Sequence, residues 1–179
     1  MKKYSIVYTT LVVLGFFSIS LWMNSCKPNP CITRAVECKN GGTCKDGDCI
    51  CASGYEGDSC QFTVNKKFDS YYACIKTMLI NGSQLNDNDD TLKINLDTKN
   101  KFGIEFYSTR DTIFERLKGT VNGNYITVPE QTIDFIGYSR TYNGSGSLNN
   151  GILTLTIYSS TPPGYSAKTT YVGYKYNPL

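Results

Sequence analysis

The chain has no histidine. That removes the commonest general base, the commonest zinc ligand and every Ser-His or Cys-His nucleophile pair. Catalysis would have to run on carboxylates. The acids Glu105, Asp111, Glu115, Glu130 and Asp134 are scattered, with no spacing that sets two of them face to face as a glycosidase requires. Net charge is also small: 18 Lys and Arg against 15 Asp and Glu give +3 over 179 residues. No segment concentrates basic residues as a nucleic-acid binder does, and no acidic tail marks a solvating segment. Large apolar residues are scarce between positions 27 and 60, where Ile32, Val36, Ile50 and Tyr55 stand out. So short a stretch builds no hydrophobic core and needs covalent staples. These absences lead us to expect a protein that is not an enzyme, uses no cofactor and binds no nucleic acid.

What is present begins with cysteine. Six of the eight cysteines lie between Cys31 and Cys60, with six, five, four, one and eight residues between neighbours. Three disulfides would staple this stretch in an oxidising compartment. Each closed loop of about 15 residues contributes on the order of 3 kcal/mol in the chain-entropy model. Spacing alone leaves fifteen connectivities open. The motifs Cys38-Lys39-Asn40-Gly41-Gly42-Thr43-Cys44 and Cys49-Ile50-Cys51-Ala52-Ser53-Gly54-Tyr55-Glu56-Gly57-Asp58-Ser59-Cys60 resemble an epidermal growth factor-like (EGF-like) module. That resemblance implies the pairs Cys31–Cys44, Cys38–Cys49 and Cys51–Cys60. Gly41 and Gly42 are read as positive-φ residues of the turn before Cys44. Asp46-Gly47 is the tip of a hairpin, and Gly54 and Gly57 bracket Tyr55 in the closing bend. Calcium-binding members of the family carry an acidic or amide cluster before the first cysteine. Lys27-Pro28-Asn29-Pro30 stands there instead, so no metal is expected. Free thiolates for zinc would not persist in an exported chain.

Upstream, Met1-Lys2-Lys3 precedes an uncharged, largely apolar run from residue 4 to 23, then Asn24-Ser25-Cys26. This is the layout of a secretory signal, and the run is also long enough to be a single spanning helix. A small residue followed by Cys at the end of such a run resembles the lipobox of bacterial lipoproteins, with Met23 where that family usually has Leu. The resemblance implies cleavage before Cys26 and acylation (palmitate among the chains) of that cysteine, giving stable membrane attachment. The alternative is an uncleaved anchor with Cys26 an ordinary thiol. The expected organisation is a signal peptide over 1–25, a lipidated cysteine and stiff spacer over 26–30, an EGF-like module over 31–62 and an antiparallel β domain over 66–179. The expected location is the cell envelope, as an outer-membrane lipoprotein on the periplasmic face or the cell surface.

From residue 66 the apolar residues alternate, cut by Asn/Gly turns. Leu92, Ile94 and Leu96 share a face, as do Phe102, Ile104 and Phe106, and Leu153, Leu155 and Ile157. Tyr125–Val128 reads as one strand, and Ile133 with Phe135 as another. Ser70–Ile80 has mixed periodicity, so a strand and a helical turn both remain open. The pattern predicts an all-β domain of eight or nine antiparallel strands, a barrel or a sandwich. A Tyr-rich first strand with Cys74, then Gly123-Asn124-Tyr125-Ile126-Thr127-Val128 and Gly144-Ser145-Gly146-Ser147-Leu148 before Leu153-Thr154-Leu155-Thr156, resembles the lipocalin-like domains of Bacteroidota lipoproteins. That resemblance implies a barrel.

Cys74 is read as a small buried residue, with a reactive thiol as the alternative. Asn86-Asp87-Asn88-Asp89-Asp90 is read as a solvated loop, with an oxygen-lined cation site as the alternative. Asn81-Gly82-Ser83 and Asn143-Gly144-Ser145 match the N-glycosylation pattern but are read as turns. Asp90-Thr91-Leu92 and Asp111-Thr112-Ile113 resemble the Asp-Thr-aliphatic O-glycosylation motif. The tyrosines are read as half-buried packing, and Pro162-Pro163-Gly164-Tyr165 as a loop tip with an exposed aromatic. The functional expectation is a lipid-anchored, non-enzymatic binding or interaction module displayed on the EGF-like unit. Its partner would be a protein or glycan. The alternative is a carrier of a small apolar ligand inside the barrel.

Overall fold

A computed structural model describes residues 28–85, 88–110 and 116–176. Cys26, the apolar N-terminal run, Asp87, Asp111, Thr112, Ile113 and Glu115 lie outside the described residues. The protein is nearly all-β, with a disulfide-rich N-terminal module leading into a closed barrel.

The module opens on a single helical turn, α1 (Pro30–Thr33), whose N-cap is Asn29; the Asn29 Oδ1 accepts from the Cys31 amide at 2.9 Å. Asn29 and Pro30 are therefore part of the folded unit rather than spacer, because an amide cap followed by proline at the first helical position starts a helix. Two small antiparallel ribbons follow: β1 (Thr43–Lys45) with β2 (Asp48–Ile50), and β3 (Tyr55–Glu56) with β4 (Phe62–Thr63). Lys45 pairs with Asp48, leaving Asp46 (φ 54°) and Gly47 (φ 95°) as the two-residue turn. Asn40 and Gly41 take positive φ in the earlier turn, at 51° and 77°. Gly42 does not, contrary to the sequence expectation. It is needed for space, since a Cβ there would stand 2.8 Å from the Cys60 sulfur.

A 3-10 helix, Val64–Phe68, joins the module to the barrel. The barrel strands are β5 (Ser70–Ile80), β7 (Asn88–Leu96), β8 (Gly103–Ser108), β9 (Leu117–Asn122), β10 (Tyr125–Phe135), β11 (Tyr138–Asn149), β12 (Ile152–Thr161) and β13 (Tyr165–Tyr176), with the short β6 (Ser83–Gln84) beside the end of β5. Each pairs antiparallel with the next, and β13 returns to β5 over ten pairs from Ala167–Ile80 to Tyr176–Tyr71. Closure selects the barrel over the sandwich. Ser70–Ile80 is a strand throughout.

Two further expectations change. Ile133 and Phe135 belong to the same strand as Tyr125–Val128; the register shifts between Val128 and Gln131, where Pro129 has no donor for the ladder. Asn143-Gly144-Ser145 is not a turn but lies inside β11, where a Cβ on Gly144 would stand 2.2 Å from the Thr156 carbonyl oxygen. Asn81-Gly82 is a turn, with φ of 47° and 84°.

One half of the interior is solid. Phe68, Tyr72, Ile94, Ile104, Ile126, Leu153 and Leu155 are almost wholly buried there. The 3-10 helix closes this end by packing on β7, β8 and β9, and the Asn65 Nδ2 donates to the Gly103 carbonyl at 2.8 Å. Leu96 and Phe102, at the rim of this end, are more exposed than their alternation implies.

Candidate functional site: a cavity at the open end of the barrel

Among the described residues, the core does not continue to the other end of the barrel. Inward positions of β5, β11, β12 and β13 that would continue the core carry Lys76, Met78, Arg140, Ser159, Tyr165 and Thr169 instead. With Leu92, Phe106, Leu117, Tyr142, Ile157 and Tyr171 at the boundary with the core, they line a cavity of about 240 Å³. Eight strands give an interior that side chains can just fill or that can hold one small ligand. Here the two solutions occupy opposite ends.

The wall is anchored by Asp90, which is 5% exposed. Its Oδ1 accepts from the Thr91 amide at 2.6 Å, and the Ser108 hydroxyl lies 2.8 and 2.9 Å from its two oxygens. The Lys76 ammonium is 3.7 Å away. A buried carboxylate is tolerable when it is hydrogen-bonded and paired in this way. Asp90 thus departs from its expected place in a solvated loop: it belongs to β7, opposite Cys74. It also places Asp90-Thr91-Leu92 in a barrel strand with two of its three residues buried. Among the described residues, no group of three or more acids and cysteines converges as a metal site would.

Arg140 enters from β11. Its Nε donates to the Thr161 hydroxyl at 3.2 Å, and its guanidinium lies 4.8 Å from the Tyr165 ring centre and 5.5 Å from that of Tyr138. Tyr165 is therefore not an exposed loop tip. It is the first residue of β13, half-buried and turned toward Arg140. Of the other tyrosines, Tyr72, Tyr142 and Tyr171 are buried, whereas Tyr125, Tyr158 and Tyr174 are 68, 47 and 64% exposed, so the expectation of half-buried packing does not hold for the set. The Tyr72 hydroxyl donates to the Phe68 carbonyl at 3.0 Å, and burial pushes its phenol well above the ordinary range. Cys74 is buried beside Asp90, and desolvation pushes its thiol up to about 11.

Sequence reasoning singled out Tyr165, as a loop-tip aromatic, but not Lys76, Met78, Arg140, Ser159 or Thr169. The available signal was a break in phase: Tyr72 and Cys74 set an inward face on which Lys76 is the next position, and Arg140 stands two residues before the inward Tyr142.

At the closed end lies the cysteine module. Its sulfurs are bonded Cys31–Cys44, Cys38–Cys49 and Cys51–Cys60, with Cα separations of 5.9, 5.6 and 5.2 Å. No family model matches the chain. Over 38 residues it is 47% identical to a neurogenic locus notch homolog protein of Giardia intestinalis, a stretch covering 21% of this chain. With the three disulfides, that similarity decides the character of the N-terminal unit. It is an EGF-like module. The chain spans 6% of that relative's length, so the likeness concerns the module and not the barrel.

The EGF-like module is docked on the barrel rather than strung from it. The Tyr55 and Phe102 rings meet edge to face at 5.6 Å, and the Lys101 ammonium lies 4.9 Å from the centre of Tyr55. Gly54 admits the Phe102 ring, which would lie 2.6 Å from a Cβ there, and its carbonyl accepts from the Val64 amide at 3.0 Å. Glu56 and Lys67 form a 2.8 Å ion pair across the junction.

Proposed function

We propose that this protein is a non-enzymatic, lipid-anchored binding protein of the cell envelope whose barrel holds a small ligand in its open end. The observation that carries this reading is the cavity itself, in a barrel whose opposite end is packed solid and closed by the 3-10 helix. In this cavity Lys76, Arg140, Ser159 and Thr169 stand among Leu92, Phe106, Leu117 and Ile157, and concave sites that combine apolar surface with placed polar groups are where small molecules bind. Acylation of Cys26 would put the anchor a few residues before α1, on the side of the module. The EGF-like unit then serves as a pedestal, and the mouth of the barrel points away from the bilayer.

Filling the cavity tests the ligand reading. Thr169→Trp should abolish calorimetric binding of the neutral probe 2-naphthol while leaving the melting temperature within a few degrees of wild type. Unchanged binding in that variant would place the probe, and the site, elsewhere. The anchor has its own test. Intact mass of the protein extracted from membranes should correspond to a chain beginning at Cys26 with acyl groups attached, and a mass without them refutes the anchor.

A second reading, docking of a partner protein on the outside of the barrel, is favoured by one observation. Ile75, Val172 and Tyr174 are 56, 44 and 64% exposed, and Ile75 pairs with Val172 across the closing seam.

A further inference from the structure

A second concavity lies on the outside of the barrel. Antiparallel pairing sets Asn143 beside Tyr158, and Tyr158 beside Lys168, in one row across β11, β12 and β13. Their chain neighbours Tyr142, Ile157, Ala167 and Thr169 are buried, so this row faces outward. All three of its residues are exposed. Thr141, Ser160 and Ser166 form the next outward row. Leu79 of β5 and Gly82 of the turn after it complete a groove of about 310 Å³, at the small end of the roughly 300–1,000 Å³ range of ligand sites. That turn is tied to β13. The Asn81 amide donates to the Ser166 carbonyl at 2.9 Å, and the Asn81 Oδ1 accepts from the Ser166 amide and hydroxyl at 2.9 and 3.3 Å. A groove fixed beforehand lowers the ordering cost of binding.

Its lining sets one flat ring among polar side chains. Tyr158, 47% exposed, is the aromatic of the groove. An Asn amide offers an acceptor and two donors, an ammonium three donors, and a hydroxyl a donor and two acceptors. The complementary ligand carries hydroxyls around its edge and C–H bonds on a face. A pyranose sugar has that form: its C–H face packs on an aromatic ring, and its hydroxyls both donate and accept. Neighbouring strands lie about 4.8 Å apart, so the row from Asn143 to Lys168 spans about 10 Å, enough for a disaccharide. A peptide adding as a strand finds no edge here, because β11, β12 and β13 each have a partner on both sides.

Beyond the ligand of the barrel interior, we propose that this outer groove is a saccharide site. Tyr158 stacks on one face of a pyranose ring, Asn143 and Lys168 hydrogen-bond hydroxyls at its edge, and Ser160 and Ser166 border the rest of the ligand.

Amide-shift titration of the isotope-labelled full chain with cellobiose, lactose and N,N′-diacetylchitobiose tests this. At least one of the three should move the amides around Asn143, Tyr158 and Lys168. Tyr158→Val keeps a residue suited to a strand and removes the ring; it should weaken that binding about tenfold or more, whereas Tyr158→Phe should stay within about threefold of wild type. Asn143→Ala, the second variant, should lose about fivefold through its missing hydrogen bonds. Melting temperatures within a few degrees of wild type show the variants to be folded. Thr169→Trp, which fills the barrel cavity, should leave saccharide binding unchanged. If Thr169→Trp abolishes it instead, the sugar sits inside the barrel and the groove is not the site, while the reading of the cavity stands. Binding that withstands both Tyr158→Val and Asn143→Ala overturns the proposal, as does failure of all three disaccharides to bind.

Discussion

Gln131 does with its side chain what a strand normally does with its backbone. Where Pro129 takes β10 out of register, the Gln131 Oε1 accepts from the Lys118 amide at 3.0 Å and its Nε2 donates to the Lys118 carbonyl at 2.9 Å. The ladder to β9 is thus continued across the bulge, and no backbone group of Lys118 is left wanting. Glycine answers a different demand. A Cβ on Gly173 would stand 2.2 Å from the Ala73 carbonyl and 2.5 Å from the Cys74 sulfur, so the seam between β5 and β13 closes only because that residue has no side chain. Cys74 itself is 4% exposed. Its thiol ionises near 11 against an ordinary 9.0, chiefly through desolvation, with the Asp90 charge acting in the same direction. The native state therefore keeps a proton that the unfolded chain releases between those values. The stability it lends is complete below pH 9 and declines as pH climbs toward 11. At pH 8, iodoacetamide should leave Cys74 unmodified in the native protein and alkylate it in urea, as read by mass. Rapid native labelling would show the thiol to be accessible.

The elements divide into those held by covalent bonds and those held by a core. Among residues 28–63 only Cys60 is buried, so the EGF-like module depends on its disulfides, which close loops of 13, 11 and 9 residues. Such loops contribute roughly 2–3 kcal/mol each in the chain-entropy model. The barrel contains no disulfide among its described residues and has an apolar core. Reduction should therefore collapse the amide resonances of residues 31–60 toward random coil while those of β5 to β13 keep their dispersion. Simultaneous loss of both sets would mean that the barrel cannot stand without the module. The hairpins were legible beforehand because Asp-Gly, Asn-Gly and Gly-Asn pairs supply the positive φ that tight turns require. Asn150 and Gly151, at 51° and 80°, are such a pair. The glycines of β11 carried the opposite message. Asn143-Gly144-Ser145 reads as a turn because nothing local reports that a neighbouring strand will press on the Gly144 α-carbon.

At the scale of the whole molecule, the all-β class and the cysteine module were legible from periodicity and motif, and closure was not. Pairing of Tyr71 with Tyr176 joins residues from opposite ends of the domain, and alternation within a strand says nothing about which distant strand lies beside it. The cavity was hidden for a related reason. A Lys or Arg at an inward position looks like an interruption of the pattern until the facing wall is known, and only closure brings β5 and β11 to a common space. The molecule that results is polar in function from end to end: staples and docking contacts at one pole, the cavity at the other, and a packed core between them.

The seam between β5 and β13 also sets a timetable. A chain made from its N-terminus completes the EGF-like module early and emits β5 directly after it, but the partner that covers one edge of β5 is the last strand to appear. Until then the nascent barrel is an open sheet with two unpaired edges, β5 at one end and the newest strand at the other. Ten cross-strand pairs form only when synthesis has reached Tyr165–Tyr176, and loop-closure entropy makes so distant a pairing slow. For most of its making, the part of the protein that carries the cavity has no interior at all.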